Sequence, residues 1–235
     1  MLTKRSNTSE IEIRPRHIIL PFFIIAAILL SSCSLKKPAL PDMTNIPFSE
    51  HMKGLNEIKN INASMGMGYE AGDVSMSGDA ALQLTDSSLE MRIYHLGFLA
   101  AEIKEQNGAV NSRPRLSKDR ALLLVDGIRY GFFWWRLDGF DLSETDTSFI
   151  LSNPTRKVIV DKKTYLPVEQ TIFLDNGGQA VIQYKNPERT EDDADIKSDL
   201  KWYPSEMTIK YKKHTVTTYI RAYTASKEII PKKEE

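Results

Sequence analysis

The chain has 235 residues, with 31 basic and 31 acidic side chains and a formal net charge of zero. Without excess positive charge, nothing marks a nucleic-acid surface. A single cysteine, Cys33, excludes an internal disulfide and leaves stability to an ordinary hydrophobic core.

The chain opens with Lys4, Arg5, Arg14 and Arg16, and then carries no charge from Ile18 to Leu35. A basic leader, an apolar centre and small residues at the end form the layout of a secretory signal. The run is also long enough for a membrane-spanning helix, although Pro21 and the closing Ser31-Ser32-Cys33 fit that reading less well. Leu30-Ser31-Ser32-Cys33 resembles the bacterial lipobox, which implies cleavage before Cys33, diacylglycerol on its sulfur and an acyl group on its nitrogen, commonly palmitate. Two or three chains hold a protein to a bilayer stably, at about 0.8 kcal/mol per buried methylene. Ser34 follows where that class places an Asp to retain proteins at the inner membrane, so the expected destination is the outer membrane, facing the periplasm. The expected division is a signal over 1–32, a lipidated proline-containing tether over 33–47, one domain over 48–225 and a charged tail over 226–235. Beyond the signal the chain has 27 basic and 29 acidic residues.

From Phe48, "FSEHMKGLNEIKNI" predicts a helix with Phe48, Met52, Leu55 and Ile58 or Lys59 as a partial stripe. The next stretch, through Leu82-Gln83-Leu84 and Leu89–Ile93, alternates apolar and polar residues between Gly, Asp and Ser, which predicts strands with one wet face. "AAEIKEQNGAV" adds a hairpin at Asn107-Gly108, where both central residues favour positive φ. The runs "TSFILSN", "RKVIVDK", "LPVEQTIFL", "QAVIQYKN", "SEMTIKY" and "HTVTTYIRAY" continue the pattern, with turns at Asn176-Gly177-Gly178 and Lys212-Lys213. Nine or ten strands at this spacing favour a curled antiparallel sheet or barrel.

One segment departs from period two. In "SKDRALLLVDGIRYGFFWWRLDGF", Ala121, Leu124, Val125, Ile128, Phe132 and Trp135 follow a helical period, and Ser117 is placed to cap it. Gly127 and Gly131 suggest that another backbone approaches closely. Most of the circumference is apolar, so the helix is expected inside or across the sheet. Four consecutive aromatics, Phe132 to Trp135, cannot share one helical face, which suggests that two of them meet a ligand, a partner or a membrane; a helix sandwiched between sheet and lid is the alternative. The acidic run Asn186 to Asp199 reads as a solvated loop, since it lacks the spacing and glycine of a calcium loop.

Nothing marks an enzyme. His17, His51, His95 and His214 stand apart without ligand spacing, and no nucleophile-elbow, phosphate-loop or zinc motif occurs. No metal or cofactor is expected.

The order of parts resembles the LolA/LolB family of lipoprotein carriers and acceptors. The likeness rests on "LEMRIYHLGFLAAEIKEQNG", two strands around an apolar turn at Leu96-Gly97, and on "YLPVEQTIFLDNGGQAVIQYKN", where Leu-Pro opens a hairpin. His95 stands where the family turn usually has proline. The resemblance covers about Leu55 to Tyr223 and is nearest to LolB, the member that is itself a lipoprotein. It implies a mainly β fold: a curled antiparallel half-barrel with an internal or lid helix and an N-terminal helix. It further implies an apolar interior for acyl chains, with Leu124, Ile128, Phe132, Trp134 and Trp135 as candidate lining, although a filled core remains open. The turn residues Leu96, Phe98 and Leu99 would then contact the membrane. Expected partners are triacylated lipoproteins or other lipids, and a soluble LolA-like carrier in the periplasm. The alternative function is an anchored envelope scaffold with a filled core.

Overall fold

A computed structural model describes residues 39–190 and 198–228. Cys33, the leader and most of the charged tail lie outside those residues. Twelve strands form one antiparallel sheet: β1 (Asn60–Ala71), β2 (Val74–Thr85), β3 (Ser88–His95), β4 (Phe98–Gln106), β5 (Ala109–Arg113), β6 (Asp141–Glu144), β7 (Ser148–Ser152), β8 (Arg156–Asp161), β9 (Pro167–Phe173), β10 (Gln179–Arg189), β11 (Trp202–Tyr211) and β12 (His214–Ser226). Their order is β5-β4-β3-β2-β1-β12-β11-β10-β9-β8-β7-β6. The fold is therefore mainly β, with an open curled sheet, as the strand pattern predicts. It has more strands than the nine or ten expected. β6 escapes the sequence pattern because all four of its residues are exposed and none alternates.

Every sequence-adjacent pair of strands is a hairpin except β5 and β6, which are the two edges. The first and last of these strands meet in the middle of the open sheet, where β1 pairs with β12 over the whole of β1. The predicted turns recur. Leu96-Gly97 and Asn107-Gly108 both have two consecutive positive φ values, and Lys212 also lies in the left-handed region. These are the twist-matched geometries of tight hairpins. The acidic run begins differently from expectation: β10 continues through Arg189, so its first residues are strand rather than loop.

The link between the edges carries the predicted helix. It comprises α2 (Lys118–Ala121), a π-helical turn (Leu122–Gly127) and α3 (Ile128–Phe132). Ser117 caps it as expected, its hydroxyl accepting from the Arg120 amide at 3.4 Å. The widened turn changes the period, so that Leu123, Leu124, Val125 and Gly127 are all buried. A regular α-helix would not bury that run on one face. The close approach at Gly127 and Gly131 is made by side chains, not by a backbone as expected. A Cβ at Gly127 would stand 2.9 Å from Ile209 Cγ2, and one at Gly131 would stand 3.2 Å from Met207 Sδ, both on β11.

Polar anchors hold the segment across the inner face. Arg129 pairs with the buried Glu105 of β4 and donates to the Thr85 carbonyl at 2.9 Å. Arg136 reaches the Ile58 carbonyl and Asp86, and its guanidinium lies 4.5 Å over the Phe133 ring. The other helix, α1 (Phe48–Asn56), buries Phe48, Met52 and Leu55 as the stripe predicts. Phe48 stacks on Phe149 of β7 at 4.2 Å. Residues from Leu40 onward form one compact unit, and the Met43 amide already bonds the Lys163 carbonyl at 2.8 Å. The part of the expected tether from Leu40 to Pro47 therefore belongs to this body. Among the described residues the hydrophobic cluster lies within this unit.

Gly127→Ala tests the helix-to-sheet fit. Helix propensity favours the change by about 1 kcal/mol, but forcing a stiff Ile209 aside costs about 1–3 kcal/mol. We expect a net loss near ~1 kcal/mol in urea unfolding; a gain in stability would show that the helix has room to shift.

Candidate functional site

A cavity of about 500 Å³ lies between α1, the end of α3 and the first half of β11. It is within the range of about 300–1,000 Å³ typical of small-ligand sites. Of the five lining candidates, Phe132, Trp134 and Trp135 face it. Leu124 and Ile128 do not line it, although both are buried. They sit higher on the helix, where the π-helical turn and α3 press against β11, and they fill the core there.

The aromatic run behaves differently from expectation. All four rings are buried, each under 5 % exposed. The helix ends at Phe132 and Phe133 leaves helical geometry, with φ −99° and ψ 48°. The chain then turns, so successive rings point in different directions within one core. Phe133 goes under Arg136, whereas the other three reach the cavity. Trp134 and Trp135 meet edge to face at 5.6 Å. The Trp135 indole N–H has no hydrogen-bond partner among the described residues, and burying an unmatched donor costs about 1–3 kcal/mol.

The remaining walls come from places the sequence does not single out. Pro41, Met43 and Ile46 close one side from the stretch before α1, and Tyr165 and Leu166 another from the β8–β9 turn. Tyr203 and Tyr223, on β11 and β12, stack at 4.6 Å, and Phe132 stacks on Tyr223 at 6.1 Å. Burial holds both of these tyrosine hydroxyl-bearing rings in an apolar setting and pushes the Tyr223 hydroxyl's pKa up. Glu50, His51, Asp199, Lys201 and Lys227 add charge or polarity, and Lys227 also pairs with Glu57 at 2.6 Å. Among the described residues no cluster of three or more His, Cys, Asp or Glu side chains could hold a metal.

The second candidate feature is the β3–β4 hairpin. Leu96, Phe98 and Leu99 are 83 %, 79 % and 57 % exposed, so they are not folded beneath the helix. The turn is fixed by Leu96 and Gly97 at φ 50° and 82°, and His95 Nδ1 lies 2.7 Å from the Ser77 carbonyl of β2. Gly78 permits this packing, because a Cβ there would collide with the Tyr94 carbonyl. Val74 and Met76, at the start of β2, are also more than half exposed. Register places this apolar group at one end of the strands and the cavity at the other. β1 runs from Asn60 beside Ser226 at the cavity end to Ala71 beside Val74 at the hairpin end. Twelve residues of strand separate the ends by about 40 Å.

With that geometry in hand, the chain can be set beside known proteins. No family model matches it, and no curated protein does. Among solved structures it is similar to a LolA superfamily protein from Nitrosomonas europaea, at 8% identity and TM-score 0.49 over 75% of this chain and 92% of the other. A domain named for outer membrane lipoprotein sorting, from Vibrio parahaemolyticus, aligns at 10% identity and TM-score 0.49 over 80% and 95%. A DUF1329 family protein from Desulfovibrio piger gives 10% identity and TM-score 0.45 over 79% and 93%.

His51 reports on the cavity. Desolvation in the cavity wall holds its pKa below the ordinary imidazole value, so the unfolded chain takes up that proton first. Its contribution to stability is complete above the unfolded pKa of about 6.5 and is lost as pH falls from there through the folded value. We expect His51→Gln to flatten the decline in stability between pH 7.5 and pH 5, measured by thermal unfolding. An unchanged slope would place the imidazole in water.

Proposed function

We propose that the protein is an envelope lipoprotein that binds acyl chains and, like LolB, accepts lipoproteins and passes them into the outer membrane. The single observation that carries this reading is the cavity, whose walls are mainly Trp, Tyr, Phe, Met, Leu and Ile side chains. Such a lining gains about 25 cal/mol for each Å² of apolar surface it removes from water. That gain is what a chain leaving a carrier requires. Transfer needs no reaction and no nucleotide: the chain moves from one apolar container to another of higher affinity, and then into the bilayer. No catalytic residue and no cofactor is assigned.

In this reading Cys33 carries the lipid that holds the protein to the outer membrane on its periplasmic side. The β3–β4 hairpin contacts the bilayer through Leu96, Phe98 and Leu99. Large apolar side chains at a hairpin tip are what a membrane-touching turn needs and what a merely soluble turn avoids. Since the hairpin and the cavity lie at opposite ends of the strands, contact of the hairpin with the bilayer and reception of a chain from a soluble LolA-like carrier are separate steps in this reading. Triacylated lipoproteins are the expected clients.

The reading is tested by the unlipidated domain and a fluorescent acyl probe. Saturable binding, displaced by a triacylated lipopeptide, is the expected result; a well-folded domain that binds nothing would favour an anchored scaffold. Leu96→Glu separates the two features. With 83 % of the residue exposed, its melting temperature should stay within experimental error and acyl binding should persist, whereas insertion of a lipoprotein into vesicles should fall at least severalfold. Unchanged insertion would remove the hairpin from the mechanism.

A further inference from the structure

We infer that the two edges of the sheet are a matched pair, and that the protein associates with further copies of itself head to tail, β5 of one copy pairing with β6 of the next. The inference stands on the open sheet and does not depend on what the cavity binds. A sheet edge presents a row of unpaired backbone donors and acceptors, which is a template for another strand. Among the described residues β5 and β6 each have a partner strand on one side alone. All four residues of β6 are exposed, as are four of the five in β5.

Charge selects the partner. From Arg113 to Lys118, in and just after β5, three residues are basic and none is acidic. From Asp141 to Asp146, in and just after β6, three are acidic and none is basic. Of these six, Glu144 alone makes an ion pair among the described residues, with Lys162 at 2.8 Å. Edges that share one sign of charge would guard against every pairing between copies. Edges of opposite sign do something else: β5 repels the β5 of a second copy and β6 repels β6, whereas β5 attracts β6. Opposite charges across a strand pair stabilise it and like charges destabilise it.

Direction and facing permit the same pairing. Every ladder in the sheet is antiparallel. The edges are first and twelfth in the strand order, so they run in opposite directions, and an added copy continues the alternation without a break. Val110 lies opposite the buried Glu105, and Leu142 opposite the buried Leu151. Both therefore belong to the inner face, where they are 44 % and 48 % exposed. With Arg113 set opposite Asp141, Ser112 meets Leu142, and Val110 falls diagonal to Leu142, within reach across a strand pair. Pairing thus covers an aliphatic side chain that each edge leaves open to water.

Strands of four and five residues make a small contact, of the size of transient encounters rather than of permanent dimers. Each copy offers one edge of each kind. The interface is therefore heterologous, and its repetition gives rows or rings rather than closed pairs.

Disulfide trapping on the full chain in lipid vesicles tests the pairing. In this register Asn111 faces Ser143, at a separation that a disulfide spans. Asn111→Cys and Ser143→Cys are placed on separate molecules, and the unaltered chain supplies the background from Cys33. Vesicles holding both should give cross-linked dimers at least severalfold above either variant alone, with a yield that falls as salt rises. Arg113→Glu with Arg115→Glu on the Asn111→Cys copy should cut the yield severalfold. Adding Asp141→Lys with Asp146→Lys to the Ser143→Cys copy should restore it. All these positions are exposed, and an unchanged melting temperature checks that each variant is folded. Dimers no more abundant than background would overturn the inference. So would equal yields from the single variants and the mixture, or a yield indifferent to charge reversal, since either would show contact without selection between edges.

Discussion

The chain must cross from one edge of a twelve-stranded sheet to the other between β5 and β6, and most of the architecture follows from that crossing. Among the described residues the other connections join neighbouring strands, whereas this one has to run over a face. An apolar crossing segment is stable only over the inner face, where Leu123, Ile128 and Trp135 are each at most 1 % exposed. The traverse therefore serves as the core. It packs against β11 in the middle of the sheet and is tied by Arg129 to Glu105 near one edge. Removing one partner of such a buried pair costs about 3–5 kcal/mol, which is comparable to much of a domain's net stability.

The same crossing decides where space is left. Where the helix is continuous, the inner face is filled. Where it ends at Phe132 and the chain turns, a helix no longer covers the sheet, and the gap is bounded by rings and by α1. The cavity is thus a result of helix termination at the aromatic run. Four adjacent aromatics suit that location, because a turn can send each to a different wall while a helix would stack them on neighbouring faces.

How much of this could be read from the residues depends on which forces act locally. Hairpins at Asn107-Gly108 and Lys212-Lys213 are legible because turn geometry is set by a few adjacent residues. Exposure of the Leu96 hairpin is legible for the same reason. The helix is visible by its period, but the π-helical turn is not, since it packs against Ile209, some eighty residues away. β6 is invisible because "DLSE" gains strand geometry only from pairing with β7. The cavity is half legible: the aromatic run signals something unusual, yet Tyr165, Tyr203 and Met43 become walls only through tertiary placement. Leu124 and Ile128 satisfy the same apolar period as Phe132, and nothing in the sequence separates packed positions from those facing empty space.

The pairing of β1 with β12 gives the molecule a mechanical asymmetry. The two strands nearest the chain ends lie side by side at the centre of the sheet, with Asn60 opposite Ser226 and the Lys59 amide bonded to the Ser226 carbonyl at 2.8 Å. Tension between those ends would load the ladder at its terminal hydrogen bond and open it like a zipper, one rung after another. Tension between the same end of β1 and the β11–β12 hairpin would load every rung together, in shear. The central ladder is consequently soft along the line joining Asn60 to Ser226 and stiff along its strands.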